Sequence, residues 1–182
     1  GDGSDDIQRV DAALNILMPG TTFRNVFMDF IVANYAKDLT GPNVPPRYQY
    51  KDDNRPPGAY ARPPLTLDRN MAVGDIFSAT DDIRAAWSAK YYEVRPSTNV
   101  PIISVDFRQP TASAVTLVYN LLVIKNGDLD MSASEFSVTG KDFVRGIVNR
   151  NYDRVVVVVG ALDQPAAFRY TISTGGGNPT LN

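Results

Sequence analysis

Apolar residues recur at three- and four-residue steps at Ile7, Val10, Leu14 and Leu17. This spacing predicts a short amphipathic helix from Ser4 to Leu17, with Ser4 or Asp5 as its N-cap. "MPGTT" interrupts the pattern, and Thr21 or Thr22 can cap a second helix. That helix places Phe23, Val26, Phe27, Phe30, Ile31 and Asn34 on one face. Gly41 suits a left-handed residue just past its end, and Pro42 cannot continue it. On that face Asn34 needs partners, because an unpaired buried amide costs about 1–3 kcal/mol. The expectation is a structural clasp, with Asn34 bonded to backbone groups after Gly41 and Tyr35 packed on the same segment.

More than half of the 13 prolines fall between Gly41 and Pro64, among Tyr48, Tyr50 and Tyr60. Tyrosine faces seek burial, so this composition predicts an extended arm lying across a surface rather than a free linker. "LTLDRNMAVGDIFSATDDIRAAW" mixes possible short strands with a helical turn around Asp81 to Ala86. From Trp87 onward the pattern becomes β-type: 87–94, 102–108, 114–124, 135–138, 143–149, 154–159 and 167–174, separated by turn-rich segments. Ile103, Val105 and Phe107 alternate as in a half-buried strand. "VVVVV" at 155–159 is apolar on both faces and suits a central strand. The expected fold is α+β and mainly β: a seven-stranded antiparallel β-sandwich preceded by two short helices and a Pro/Tyr-rich extended arm. The expected units are a helical segment and arm over 1–86, a sandwich over 87–175 and a flexible tail over 176–182.

Composition then removes whole classes of chemistry. The 182 residues contain no histidine and no cysteine, so imidazole bases, thiolate nucleophiles and the usual zinc ligands are all missing. Eighteen basic residues against 20 acidic ones give a net charge of −2 without a basic block, which argues against a nucleic-acid partner. No apolar run approaches the roughly 20 residues of a membrane span, so membrane insertion is not expected.

Local acidic groups have simple explanations. The acids of "DGSDD" at 2–6 and of "NGDLD" at 126–130 lack the offsets of a calcium loop and read as a helix start and a turn, so no calcium or other cofactor is expected. The pairs Asp52/Asp53 and Asp81/Asp82 are adjacent in sequence, and glycosidase carboxylates must face each other across a gap. "GKD" at 140–142 lacks the upstream glycine of a phosphate loop, and "TGGGN" reads as tail. Trp87, Tyr91 and Tyr92 are candidates for a sugar-stacking platform. Strand alternation, however, puts Tyr92 on the face opposite Trp87 and Tyr91.

The segments "VDAALNILMPGTTFRNVFMDFIVANYAKDL", "YQY" and "AAWSAKYYEV", in this order, resemble exported bacterial zinc metallopeptidases of the immune-inhibitor type and their relatives. Phe23, Phe27, Asp29, Phe30, Ala33, Asn34 and Tyr35 match the helix, Tyr48 and Tyr50 the arm, and Tyr91 and Tyr92 the entry strand, so the likeness covers roughly residues 8–95. "RVVVVVGALDQPAAFRYTIST" is similar, less specifically, to the last strands of sandwich domains appended to secreted peptidases. The His-Glu-x-x-His helix of such enzymes is missing here. The resemblance therefore implies a region downstream of the metal site, with no catalytic residue and no metal ligand of its own. It further implies a non-catalytic accessory module, extracellular or at the cell surface, whose partner is the catalytic domain of its parent chain and, through it, a protein substrate. The alternative is a carbohydrate-binding sandwich that meets a cell-surface glycan through Trp87, Tyr91 and Tyr92.

Overall fold

The computed structural model describes residues 4–37, 39, 41–49, 63–111 and 113–175, without the side chains of Ser4 and Asp5. Most of the expected arm, including Tyr50 and Tyr60, lies outside the described residues, as do Asp2, the Asp52/Asp53 pair, the capping side chain of the first helix and the 176–182 tail.

Two helices, α1 (Ser4–Leu17) and α2 (Phe23–Ala36), precede ten strands. These are β1 (Leu67–Met71), β2 (Ile76–Ile83), β3 (Ser88–Pro96), β4 (Ile102–Arg108), β5 (Leu117–Lys125), β6 (Asp128–Leu129), β7 (Glu135–Gly140), β8 (Asp142–Val148), β9 (Arg154–Ala161) and β10 (Ala166–Thr174). The first sheet runs β1-β3-β9-β5-β6 with β7 also on β5, and the second runs β2-β10-β4-β8. The mainly-β sandwich preceded by helices is present, with ten strands in place of seven. The additions are β1, β2 and the two-residue β6.

β1 and β2 occupy the segment with mixed signals, and the expected helical turn at 81–86 is absent. Thr80, Asp81 and Asp82 of β2 instead pair with Arg169, Phe168 and Ala167 of β10, which an isolated turn of helix could not match. Both strands precede residue 87, so the sandwich begins earlier than the expected boundary. β1 also runs parallel to β3, a departure from a purely antiparallel plan. "NGDLD" turns between β5 and β6, with Asn126 and Gly127 both at positive φ (53° and 73°), as a tight hairpin requires.

The layers follow from the alternation of side chains. Tyr92, Leu121, Val123, Val155, Val157 and Val159 of the first sheet meet Ile103, Val105, Phe107, Phe168, Tyr170 and Ile172 of the second. The other face of the first sheet, with Tyr91, Val118, Leu122, Ile124, Val156 and Val158, is covered by α2 and by Val44 and Tyr48 of the arm. The five consecutive valines are thus divided between two cores, as expected of a strand buried on both sides.

Thr22 caps α2 with reciprocal bonds to Asn25: its side chain accepts from the Asn25 N–H, and the Thr22 N–H donates to Asn25 Oδ1 at 3.1 Å. The buried residues of α2 are Phe27, Ile31, Val32, Ala33, Tyr35 and Ala36. This stripe is rotated from the expected one: Val26 and Phe30 are exposed and Asn34 is half-buried. The sheet beneath, with Tyr91, Val118, Leu122, Val156 and Val158, selects this stripe. Gly41 is also not left-handed. α2 ends at Ala36 with Lys37 still in the right-handed region, and a Cβ on Gly41 would lie 1.9 Å from Asp128 Cγ. Glycine is needed there for close approach rather than for a turn. Asp128 then accepts from the Asn43 backbone N–H and, at 2.7 Å, from the Asn43 amide.

Candidate functional site

The helix layer carries both the sequence candidates and the largest apolar exposure. Its contact with the sandwich is centred on two side chains that continue from α2 onto β3. The Tyr35 ring stacks on Tyr91 with centroids 6.3 Å apart. Its hydroxyl donates to Oε2 of Glu93 at 2.5 Å. Tyr91 donates to the Ile31 carbonyl at 3.0 Å. Glu93 is fully buried. Arg95 Nη2 lies 2.5 Å from its Oε1 in an ion pair without hydrogen-bond alignment, and Arg154 Nη1 lies 4.0 Å from Oε2. Two guanidinium groups and a phenol thus balance one carboxylate removed from water. Removing any one partner from such a group is costly.

Trp87 joins the same layer from the start of β3. Its backbone sits at φ 54°, an uncommon conformation for a bulky residue. Its N–H donates to the Ala161 carbonyl at 2.8 Å. The indole packs edge-on against Phe23 at 4.7 Å and Phe27 at 5.4 Å. Of the three aromatic candidates, Tyr91 and Tyr92 are therefore inside the two cores, on opposite faces of β3, and Trp87 is half-buried between phenylalanines. The structure does not bring them together as a platform. Tyr35 and Asn34 are adjacent on α2. Tyr35 shares its core with Val44 and Tyr48 of the arm, while its hydroxyl is directed to β3.

Asp81 and Asp82 are successive residues of β2, and Lys90 pairs with both, its Nζ lying 3.9 Å from Asp82 Oδ1. Tyr92 donates to Asp81 Oδ2 at 2.6 Å, Lys90 binds Oδ1, and the Asp82 N–H also donates to Oδ1 at 2.8 Å. Burial pushes the Asp81 carboxyl up, but the bonds from Lys90, Tyr92 and the Asp82 backbone outweigh it and hold the carboxyl below its ordinary value. Burial, reinforced by Asp81, raises the Tyr92 hydroxyl far above the usual phenol range. Asp82 bonds Arg84 at 3.2 Å. These are ion pairs of a strand rather than two acids facing a substrate. Among the described residues no group of three or more acidic side chains is placed to hold a metal ion.

The open side of this layer carries large apolar residues among polar ones. Ile16 and Leu17 of α1 are 81% and 77% exposed, and Phe30 of α2 is 49% exposed, with Val10, Met18 and Val26 also exposed. Periodicity alone could not identify this surface, because it assigns such residues to a core without saying whose core. The Glu93 network was also missed, although a glutamate inside "YYEV" at a position alternating with Tyr91 is a usable signal of a buried charge.

No protein-family model matches the chain, and no curated protein matches it. Similar solved structures include a peptidase and a peptidase-associated domain. Tripeptidyl peptidase 2 aligns at TM-score 0.47 and 5% identity, covering 63% of this chain and 11% of that protein. The pre-peptidase C-terminal domain of a Bacillus anthracis collagenase aligns at 0.38 and 8% identity, covering 63% of this chain and 99% of that domain. The periplasmic g-type lysozyme inhibitor of Aeromonas hydrophila aligns at 0.35 and 8%, over 59% of this chain and 99% of that one. At this level the likenesses concern strand arrangement and carry nothing about activity. Among the described residues no helix is long and apolar enough to cross a membrane.

Proposed function

We propose that this chain is a non-catalytic accessory module of an exported bacterial metallopeptidase-like protein. Its helix layer docks on the catalytic domain of the parent chain and supports it, or presents it to a protein substrate. The observation that carries this reading is the exposed apolar set Ile16, Leu17, Met18 and Phe30, at the end of α1 and on α2, of which α2 alone buries its other side on the sandwich. Monomeric surfaces scatter such residues singly, and a cluster of them rimmed by polar groups marks an interaction surface. The resemblance of residues 8–95 to the region after the zinc helix names the neighbour. Extracellular or cell-surface location belongs to the same reading, and no resident cofactor is part of it.

The test is the parent protein with Ile16, Leu17 and Phe30 all changed to serine. The isolated chain should keep its unfolding transition, while the catalytic domain in the parent should lose thermal stability and its amides at the contact should exchange faster. A parent without His-Glu-x-x-His upstream, or a triple variant with unchanged exchange, overturns the proposal. Saturable binding to a glycan panel that is lost in Trp87→Ala would instead favour the carbohydrate-binding alternative, which now rests on Trp87 alone of its three aromatic candidates.

A further inference from the structure

On the far side of the molecule the outer face of the second sheet is largely polar, with Ile76 and Val148 exposed at its margins, and its cross-strand register makes an unusual juxtaposition. Arg169 on β10 stands directly opposite Arg108 on β4 and opposite Thr80 on β2. Like charges directly opposite on an antiparallel pair destabilise a sheet unless something offsets them. Arg108 has its own counter-ion, donating to Asp106 Oδ1 at 2.7 Å. Arg169 is exposed and forms no ion pair among the described residues. Beside this pair is a cavity of about 360 Å³ whose lining includes Asp81, Arg108, Gln109, Thr111, Phe168 and Arg169. Gln109 is only 8% exposed, yet neither Nε2 nor Oε1 of its side chain has a hydrogen-bond partner. Buried amides are nearly always paired, so an orphaned donor and an orphaned acceptor on one side chain beside two guanidinium groups call for a ligand.

We propose that this cavity binds an extended peptide segment bearing a carboxylate, with Arg169 and Arg108 taking the carboxylate and the Gln109 amide pairing with the main chain. The chemistry of the lining selects this class. In an extended strand the N–H and C=O of one residue point to the same side, and a carboxamide supplies the complementary acceptor and donor together. A guanidinium fork matches a carboxylate in two parallel bonds. Asp81 in the same lining repels a dianion such as phosphate more strongly than a single carboxylate. The carboxylate can be a chain terminus or an aspartate or glutamate side chain. The site lies across the sandwich from the helix layer, so it stands or falls independently of the docking proposal.

The experiment titrates the whole chain with N-acetyl-trialanine as the free acid, the same peptide as its terminal amide, N-acetyl-Ala-Asp-Ala amide, and inorganic phosphate. Heat and the side-chain amide resonances of Gln109 are the readouts. One or both carboxylate peptides should saturate and shift the Gln109 resonances, and whichever binds more tightly identifies the source of the carboxylate. Removing a charge-assisted contact should weaken binding about tenfold or more, both for the neutral peptide and for Arg169→Ala. Because Arg169 is exposed and stands opposite Arg108, that variant should melt no lower than the parent chain. Gln109→Ala should weaken the carboxylate peptides, and unchanged binding would remove the amide from the site. The proposal is overturned if neither carboxylate peptide saturates, if phosphate binds as tightly as they do, or if Arg169→Ala binds them unchanged.

Discussion

The two sheets of this sandwich are treated in opposite ways. In the first, β5 and β9 are buried along almost their whole length, because the second sheet covers one face and α2 covers the other. In the second, β10 alternates buried and open positions, with Phe168, Tyr170 and Ile172 inward and Ala167, Arg169 and Thr171 outward. One sheet is therefore a central slab and the other a lid with a polar outer surface. The difference shows that the helix layer is structural for the first sheet, while the outer face of the second sheet is where side-chain identity is free to serve binding.

That contrast can be broken most directly at Leu122, which is fully buried on the helix side of β5. Leu122→Ala should cost about 2–5 kcal/mol in a denaturant titration. A value near zero would mean that α2 does not cover the slab. Tyr35→Phe is next. It leaves the buried Glu93 carboxylate without its phenol donor and should cost about 1–3 kcal/mol with little change in shape.

Asp81 sharpens the comparison through pH, since it joins β2 to Lys90 and Tyr92 of the slab. Its carboxyl is held below the ordinary 3.8 in the folded chain. The stability it contributes is therefore full above that value and is lost as pH falls through the lower folded one. Asp81→Asn should be destabilised in urea melts at neutral pH, and the gap to the parent chain should narrow below pH 3.8. Smallest of all is Thr171→Val on the open face, expected within about 0.5 kcal/mol. An effect comparable to Leu122→Ala would show that the lid's outer face is covered after all.

The parts of this arrangement that were legible are those set by local pattern. The expected run 102–108 matches β4 to the residue, and the valine run predicted a strand shared by two cores. The Asn126-Gly127 hairpin was marked by its own turn chemistry. The rest depended on partners distant in sequence. β1 is mostly polar and β2 mixes Ile76, Phe77, Ala79 and Ile83 with polar residues, and pairing with β3 and β10 makes them strands. The rotated stripe on α2 could not be read from periodicity, because Phe27 and Phe30 are equally apolar and only the sheet beneath decides between them. Gln109 is hidden for the same reason: a glutamine before a proline reads as a turn until its burial is known.

The hydrogen bond from Asn43 to Asp128, beside the close approach of Gly41, spans 85 residues of sequence. Asp128 reaches its position only once the β5–β6 hairpin has closed, so the segment leaving α2 has no anchor until β5 is in place. Closing so long a loop early would be entropically expensive, and non-local contacts of this kind form late and slow folding. The N-terminal helices would therefore be the last layer to settle, although they leave the ribosome first. Until the hairpin arrives, the nascent chain must keep Phe27, Ile31 and Tyr35 from associating with anything else.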